Sequence, residues 1–480
     1  MKMRHHLYTS CAKNPIGKKN MPKLAHKLIL LLSATLFLGS CEAKSGQISP
    51  KITPATHAKN VIIFIGDGMG VSTVTAARIF DGQSKGLKGE EHALAFEDFE
   101  NLALIKTYNT NAQVPDSAGT ATAILSGYKT NIGAINVRPN ESVRKMVLNS
   151  CVLKNSPPTM TQRAKKAGMA VGVISTARIT HATPAAMYGH AVDRGWEADT
   201  DVDERALKAR CKGLAHQLLK SPVDIMLGGG RSKFTDKQIE DWRNEDGHIY
   251  VTDTSSLNAA PKDQTILGLF KSSHMSYEAD RDKTKEPSLA EMTSFTIDGL
   301  TARDKGYVLM VEAGRVDHAH HATNAYRAMT DMQALNEAVK VAKAKSGDDT
   351  LILVTADHSH VFTMAGYPAR GNPILGLVRY PDPEGGGSAK EYAKAEDGKP
   401  YTTLGYQNGP NVRELDSPAL TDNMVQAKDF RQQTGVHLKD ETHAGEDVAL
   451  YATGPGSQNV RGVMEQDKIY NVIATALDWE

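Results

Sequence analysis

The sequence Val61-Ile-Ile-Phe-Ile65 runs directly into Gly66-Asp67-Gly68-Met69-Gly70, so an apolar run ends in a glycine-rich turn that carries one carboxylate. The run lacks strict alternation of apolar and polar residues, which is typical of a strand buried on both faces. Comparable short runs occur at residues 171–174, 223–227, 307–311, 351–355 and 448–452. Stretches with helical spacing, the longest at residues 324–345, lie between them. This alternation predicts an α/β fold with a mostly parallel sheet covered by helices.

Length and charge limit the classes of protein to which the chain can belong. It has 480 residues, which suits one large α/β domain with insertions or two domains. Lys and Arg number 56 and Asp and Glu number 55, so the formal net charge is +1. A nucleic-acid-binding protein would show a basic excess, so we predict no nucleic-acid partner. A small positive site for an anionic substrate remains compatible with this balance.

The N-terminal segment is predicted to be an export signal that does not belong to the fold. Residues 28–39 form an apolar run, and Lys23 and Lys27 precede it. A basic stretch before a short apolar run is typical of a signal peptide. The run is shorter than the roughly 20 residues that span a bilayer. We therefore assign residues 1–41 to a signal peptide and expect an exported protein in the periplasm or cell envelope.

The end of this segment predicts how the mature protein begins. Leu38-Gly39-Ser40-Cys41 resembles a bacterial lipoprotein cleavage box, and cleavage before Cys41 would leave a lipidated N-terminal cysteine. Ordinary signal cleavage near Ala43 is the alternative. In both cases residues 42–57 would form a polar tether to a folded domain at residues 58–480.

Two cysteines, Cys151 and Cys211, remain in the mature domain. A pair of cysteines in an exported protein predicts one disulfide. Two buried free thiols are the alternative.

Residues 365–435 differ in composition from the rest of the chain. They are rich in Gly, Pro, Tyr and charged residues, as in Pro381-Asp-Pro-Glu-Gly-Gly-Gly387. An unstructured tether is one interpretation, but the Tyr and Leu content favours a small folded insertion carried on the main domain.

Carboxylates and imidazoles cluster where the predicted strands end. The clusters are Asp67; Glu312 with Asp317, His318, His320 and His321; Asp357 with His358 and His360; and Glu441 with His443. Sites in α/β sheets form at the carboxyl ends of strands, so these loops are expected to converge. Asp, Glu and His in this density suit Zn²⁺, and Mg²⁺ where only oxygen ligands are offered. A single Asp or His is more often a surface or core residue, but clusters at equivalent positions favour a metal site.

A serine precedes a run of small residues in Val114-Pro115-Asp116-Ser117-Ala118-Gly119-Thr120. The small side chains predict a closely packed helix with Ser117 at its N-terminus, where free N–H groups and the helix dipole favour an anion. Beside a metal, this serine could act as an alkoxide nucleophile. A plain helix N-cap, which Ser and Asp often supply, is the simpler interpretation of this segment alone.

Residues 180–196 offer three further candidates. His181 and Thr183 are candidates for the surroundings of a metal. Arg194 is a candidate phosphate clamp, because a guanidinium binds two phosphate oxygens in a planar fork. A strand end with capping residues and a surface arginine is the alternative.

Six motifs in chain order resemble those of the alkaline phosphatase family. They are Gly66-Asp67-Gly68-Met69-Gly70, Pro115-Asp-Ser117-Ala-Gly-Thr-Ala-Thr122, His181-Ala-Thr183-Pro-Ala185, Asp317-His-Ala-His-His321, Thr355-Ala-Asp357-His358-Ser-His360 and Thr442-His443-Ala-Gly-Glu-Asp447. The resemblance covers roughly residues 58–478. It implies a three-layer α/β/α sandwich with a large, mostly parallel central sheet and a small crown insertion, whose place residues 365–435 match. It also implies a homodimeric hydrolase of small phosphomonoesters.

The resemblance further implies two Zn²⁺ and one Mg²⁺ per chain. The first zinc would be held by Asp317, His321 and His443. The second would be held by Asp67, Asp357 and His358, next to Ser117, which would form a phosphoserine intermediate. Magnesium would be held by Asp67, Thr183 and Glu312, and Arg194 would clamp the phosphate. His181 and His318, near the third metal, stand where some bacterial members carry Asp and Lys.

Two further features come from the animal branch of the family. The Cys151–Cys211 spacing is similar to a disulfide of that branch. Lys271 stands where an acidic ligand of its calcium site is expected, so we do not predict a calcium site.

Other enzymes of the same superfamily, and a non-catalytic envelope lipoprotein that stores zinc or binds phosphate, are the competing interpretations. Sulfatases need Cys or Ser in a C/S-x-P-x-R context, whereas Ser117 is followed by Ala-Gly-Thr-Ala. Phosphodiesterases of the superfamily use Thr as the nucleophile. A storage protein would need neither Ser117 nor Arg194, and both are present.

Overall fold

The computed structural model describes residues 57–139 and 156–479. The predicted signal peptide, all but the last residue of the predicted tether, and Cys151 lie outside the described residues. Cys211 is buried in a small apolar cluster with Val202 and Ala206, and its pairing with Cys151 stays a prediction. Within the described residues, no helix combines the length and the apolar character needed to cross a bilayer.

The strands of the described chain form one large sheet and two small ones. In chain order they are β1 (Asn60–Gly66), β2 (Asn101–Lys106), β3 (Ala170–Arg178), β4 (Ile225–Gly229), β5 (His248–Val251), β6 (Thr265–Leu269), β7 (Tyr307–Ala313), β8 (Thr350–Ala356), β9 (Ser359–His360), β10 (Phe362–Met364), β11 (Leu404–Gly409), β12 (Thr434–His437), β13 (His443–Ala444), β14 (Val448–Thr453) and β15 (Gly462–Glu465).

The large sheet has ten strands in the order β15-β2-β14-β8-β1-β7-β3-β4-β6-β5. Neighbouring strands are parallel, except that β14 runs antiparallel to both β2 and β8. Its central strand β1 is buried from Val61 to Gly66, as expected for a parallel strand covered on both faces. The prediction of a large, mostly parallel central sheet is confirmed.

Helices cover this sheet and complete the predicted α/β/α sandwich. In chain order they are α1 (Val71–Ser84), α2 (Ser117–Ser126), α3 (Met160–Lys166), α4 (Ala182–Ala185), α5 (Glu204–Lys208), α6 (Leu214–Lys220), α7 (Asp236–Arg243), α8 (Thr254–Ala259), α9 (Leu289–Thr301), α10 (Arg315–His321), α11 (Ala325–Lys345), α12 (Asp422–Val425) and α13 (Lys468–Ala476). The long helix α11 packs against α1, α9 and α10, while α2 packs against α4 and α13. The three-layer architecture is therefore the one expected from the sequence.

The segment 365–435 contains regular structure of its own. It includes β11 and α12, and β11 lies between β10 and β12 in a three-stranded sheet. Residues within the segment also pair with one another, as Leu377 does with Thr402. The assignment of this segment as a crown insertion stays a prediction.

The register of the central strands places the site. Gly66, the last residue of β1, pairs with Ala313 of β7 on one side and with Ala356 of β8 on the other. Asp67 and Asp357 are the next residues along their strands, so both emerge at the same edge of the sheet. The two-stranded sheet of β9 and β13 pairs Ser359–His360 with His443–Ala444 at that edge.

Candidate active site

The turn after β1 is shaped around its neighbours. Gly68 has a φ of 71°, and a Cβ at this position would overlap the imidazole of His360. Its N–H donates to Asp357 Oδ1 over 3.0 Å. Glycine is favoured here because it tolerates positive φ and leaves the backbone free to approach the neighbouring side chains.

A first group of ligand atoms lies between α10 and β13. Asp317, His321, His360 and His443 each offer one such atom, and these atoms lie within 4.8 Å of one another. Asp317 Oδ1 is 3.3 Å from His321 Nε2 and 3.4 Å from His443 Nε2. Asp317 and His321 share α10 with the i, i+4 spacing that places both on one face. The structure thus brings together the three residues predicted for the first zinc, with His360 next to Asp317.

Backbone carbonyls orient the imidazoles of this group. His321 Nδ1 donates to the carbonyl of Glu441 over 2.7 Å, and His443 Nδ1 donates to the carbonyl of Pro115 over 2.9 Å. These bonds point Nε2 of each ring toward the centre of the group, which is how histidines are oriented for a metal. Burial opposes the charge of His321, but the adjacent Asp317 carboxylate raises the pKa of His321 to about 11. This shift shows how strongly the group attracts positive charge.

A second group consists of Asp67, Asp357 and His358, all fully buried. His358 Nε2 lies 3.3 Å from Asp67 Oδ1 and 3.4 Å from Asp357 Oδ2. Burial, reinforced by the Asp357 carboxylate, raises the pKa of Asp67. Two buried carboxylates at such close range repel each other unless a cation lies between them. Their geometry fits a metal ion.

A third group shares Asp67 with the second. It consists of Asp67, His181 and Glu312, and the Ser175 hydroxyl donates to Glu312 Oε2. Four buried atoms around it have no hydrogen-bond partner among the described residues: Asp67 Oδ2, Glu312 Oε1, Thr183 Oγ1 and His181 Nδ1. Unpaired buried polar atoms are costly, so the convergence of the three oxygens among them fits a bound cation. Burial raises the pKa of Glu312 to about 7, which fits the same conclusion.

His318 lies beside this third group, next to its member His181. Their rings are 5.5 Å apart, and the rings of His318 and His274 are 4.1 Å apart. Sequence analysis placed His181 near the third metal, and the structure brings it into the group of potential ligands. His318 is a neighbour of that group in the structure.

Ser117 begins helix α2 and is almost fully buried. The N-cap is Asp116, whose Oδ1 accepts from the Gly119 N–H over 3.1 Å. The hydroxyl of Ser117 is therefore not needed for capping and lies 3.1 Å from His358 Nε2 and 3.5 Å from Asp67 Oδ1. Asp116 is therefore the plain helix N-cap, whereas the hydroxyl of Ser117 faces the second group.

Arg194 reaches the same volume from the loop after α4. Its Nη1 lies 3.2 Å from Asp116 Oδ2, and its Nη2 donates to His181 Nε2 over 3.0 Å. The side chain is 28% exposed, so it can contact a ligand that enters from solvent. A guanidinium held in this way beside a serine hydroxyl is suited to an anionic group.

Three groups of cation ligands, a serine hydroxyl and an arginine thus surround one volume at the edge of the sheet. This arrangement defines the class of metal-dependent hydrolases of anionic esters. The family model described as alkaline phosphatase matches residues 58–479. The chain belongs to the alkaline phosphatase family.

Known relatives and solved structures agree with this assignment. The chain is 40% identical over 453 residues to the tissue-nonspecific alkaline phosphatase of Rattus norvegicus, covering 87% of this chain and 83% of the relative. It is 38% identical over 452 residues to that of Homo sapiens, with the same coverage. The alkaline phosphatase of the Antarctic bacterium TAB5 superposes with a TM-score of 0.62 at 22% identity, covering 88% of this chain and 99% of that one. The Thermus thermophilus alkaline phosphatase superposes with a TM-score of 0.63 at 22% identity, covering 92% of this chain and 96% of that one. These two structures support the fold.

Two residues of the site were named in the sequence clusters but were assigned no individual role there. His360 belongs to the first group, and Glu441 contacts both His360 and His321. Residues two apart on an extended segment share a face, so the spacing of His358 and His360 was a usable signal. Glu441 has no comparable local signal, because its contacts join segments far apart in sequence.

Proposed function

We propose that this enzyme hydrolyses phosphate monoesters through a phosphoserine intermediate on Ser117, with two Zn²⁺ and one Mg²⁺ as cofactors. The observation that carries the proposal is the position of the Ser117 hydroxyl, 3.1 Å from His358 and 3.5 Å from Asp67. Asp67 belongs to both the second and the third group. This position supports the assignment of Ser117 as the nucleophile, next to the carboxylate that the two proposed cation sites share.

The donor sets support the choice of metals. The first group offers imidazoles and one carboxylate, and the second offers one imidazole and two carboxylates, which suits zinc. The third group, with Asp67, Thr183 and Glu312, offers mainly oxygen, which suits magnesium, and His181 is the imidazole that belongs to it. When bound, the cations would neutralise phosphate oxygens and lower the pKa of the attacking hydroxyl.

The residues of the chain have distinct parts in the reaction. Ser117 Oγ attacks phosphorus, the new O–P bond forms, and the bond to the leaving alcohol oxygen breaks. Water then hydrolyses the phosphoserine, which releases inorganic phosphate and restores the hydroxyl. Arg194 binds two phosphate oxygens and holds the phosphoryl group in line, while Asp116 orients its guanidinium. The roles proposed for Ser117 and Arg194 both concern the phosphate part of the substrate. We therefore expect small phosphomonoesters with varied alcohol groups as substrates.

Location and assembly are part of the proposal. The predicted signal peptide supports export to the periplasm or cell envelope, and Cys41 is the proposed lipid anchor. The family resemblance supports a homodimer. Radiolabelled palmitate incorporation, compared with a Cys41→Ser variant, tests the anchor, and light scattering of the purified protein tests the dimer.

One assay tests the central proposal. We expect rapid hydrolysis of p-nitrophenyl phosphate at alkaline pH, loss of turnover with a chelator, and recovery with Zn²⁺ and Mg²⁺. Bis-p-nitrophenyl phosphate and p-nitrophenyl sulfate should react far more slowly. Elemental analysis should find two zinc ions and one magnesium ion per chain. Metal binding without turnover of the monoester would contradict the proposal and favour a storage protein.

A further inference from the structure

Glu441 is a buried carboxylate behind the first group of ligands. Its side chain is 0% exposed, and it lies two residues before His443. We propose that Glu441 is a positioning residue that sets the metal affinity of the first group by holding His360 and, through it, Asp317. The inference rests on the proposed function, because it assigns the first group to zinc.

The carboxylate of Glu441 fixes the ring of His360 from behind. Glu441 Oε2 lies 2.6 Å from His360 Nδ1, and Oε1 accepts from the Val361 N–H over 2.9 Å. Both carboxylate oxygens are thus engaged with one short segment. A carboxylate hydrogen-bonded on both oxygens has little freedom to rotate, so the orientation of the His360 ring is fixed as well.

His360 passes this orientation to the ligand Asp317. Its Nε2 lies 2.9 Å from Asp317 Oδ1. Carboxylates only accept hydrogen bonds, so the ring donates from both nitrogens, one to Glu441 and one to Asp317. The resulting row of carboxylate, imidazole and carboxylate holds Oδ1 of Asp317 next to His321 and His443.

The backbone of Glu441 holds a second ligand in place. Its N–H donates to the carbonyl of His321 over 3.2 Å, and its carbonyl accepts from His321 Nδ1 over 2.7 Å. These two bonds do not depend on the side chain at position 441. A substitution there removes the close contact to His360 and the longer one from Oε2 to His321 Nδ1, at 3.5 Å. The two backbone bonds of His321 remain, so His360 loses more of its support than His321 does.

Loss of the Glu441 side chain would leave His360 Nδ1 buried without its partner. An unpaired buried donor is costly, so the ring would turn or shift its proton, and Asp317 would lose its fixed orientation. Partners of this kind typically change metal affinity or activity by about 10- to 100-fold. The contacts of Glu441 are to other protein groups around the first group, so substrate affinity should change little.

The test compares Glu441→Ala with Asp440→Ala, a matched loss of one acidic side chain from the neighbouring exposed position. Zinc affinity is measured on the intact protein by competition with a chromophoric chelator, and kcat and KM are measured at limiting and at excess zinc. We expect one of the two zinc equivalents of Glu441→Ala to bind about 10- to 100-fold more weakly. Its kcat should fall at limiting zinc and recover with excess zinc, with KM unchanged, while Asp440→Ala behaves as the wild type.

A conservative variant keeps the test decisive if Glu441→Ala does not fold. Glu441→Gln preserves size and one acceptor oxygen, and we expect it to weaken zinc binding about fivefold because it exchanges a charged hydrogen bond for a neutral one. Zinc affinity within twofold of the wild type in every folded Glu441 variant would overturn the inference. A wild type that neither binds zinc nor hydrolyses the monoester would overturn the proposed function instead.

Discussion

The hydroxyl of Ser117 lies 3.1 Å from Nε2 of His358, although 241 residues separate the two in the chain. Two local features produce this contact. Asp116 takes the N-cap of α2, which frees the serine hydroxyl, and β8 delivers His358 to the same edge of the sheet. The same imidazole nitrogen lies 3.3 Å from Asp67. Nucleophile and metal ligands thus meet because a helix N-terminus and two strand ends share one edge.

Ser117→Ala should abolish turnover and leave the metals bound. The hydroxyl is the attacking group in the proposed reaction, so we expect kcat to fall at least about a thousandfold. Metal content by elemental analysis should not change. Ser126→Ala is the matched control, because Ser126 is also buried in α2 but donates to the carbonyl of Thr122 within the helix. Full activity of Ser117→Ala would rule out the assigned nucleophile.

Arg194→Ala should weaken phosphate binding more than it slows a saturated enzyme. Charge-assisted hydrogen bonds contribute about 1.5–3 kcal/mol, so KM and the inhibition constant of inorganic phosphate should rise about 10- to 100-fold. Arg194→Lys should retain only part of the phosphate affinity, because an ammonium lacks the planar fork of a guanidinium. The exposed Arg205, changed to Ala, is the control. An inhibition constant unchanged in Arg194→Ala would contradict the clamp.

Gly68→Ala should disturb the metal site through steric overlap as well as through backbone strain. Gly68 and Gly86 both have positive φ, 71° and 79°, so alanine costs about 1 kcal/mol of strain at either position. A methyl at Gly86 would meet no described atom within 4 Å, whereas one at Gly68 would overlap the ring of His360. We expect Gly68→Ala to lose at least about tenfold in zinc affinity and Gly86→Ala to lose none. Equal zinc affinity in the two variants would show that the site tolerates displacement of the His360 ring.

The position of the site at one edge of the sheet could be predicted, because it follows from local features of the sequence. Apolar runs predict buried strands, and parallel strands deliver the residues that follow them, such as Asp67 and Asp357, to one edge. The identity of the cap could not be predicted, because Asp116 and Ser117 are both good N-cap residues and only the packed helix distinguishes them. The contact between His360 and Glu441 spans 81 residues and depends on the pairing of β9 with β13. The entry of His181 into the third group likewise depends on how α4 packs, which no local pattern specifies.

Magnesium binding by metal-free protein should weaken below neutral pH. Burial raises the pKa of Glu312 to about 7, so below that pH the carboxyl is neutral and a cation must displace its proton. The apparent affinity should fall about tenfold per pH unit below ~7 and level off above it. Calorimetric titration with Mg²⁺ between pH 6 and pH 9 measures this dependence.

Ser175→Ala provides the internal check on that profile. The hydrogen bond from Ser175 favours the ionised form and lowers the pKa of Glu312. Its removal should move the midpoint of the profile to higher pH. A flat profile, or a shift to lower pH in the variant, would show that another group limits magnesium binding.

Asp331→Asn should stabilise the protein more at high pH than at low pH. Asp331 lies in α11, is 3% exposed and accepts from the Glu278 N–H over 3.2 Å. Burial raises the pKa of this carboxyl to about 8, although the nearby Arg315 opposes the shift. Because the folded pKa lies above the unfolded value of 3.8, the protonated Asp331 carboxyl contributes to the stability of the folded protein. This contribution is complete below pH 3.8 and is lost as pH rises through 8.

The asparagine keeps the acceptor oxygen and does not ionise, so it escapes this loss. The difference in unfolding free energy between Asp331→Asn and wild type should therefore grow between pH 5 and pH 9, by on the order of a few kcal/mol. Thermal unfolding of both metal-loaded proteins at the two pH values measures it. If Asp331→Asn proves less stable than wild type at pH 9, the carboxylate is ionised in the folded protein and its attraction to Arg315 outweighs the cost of burial.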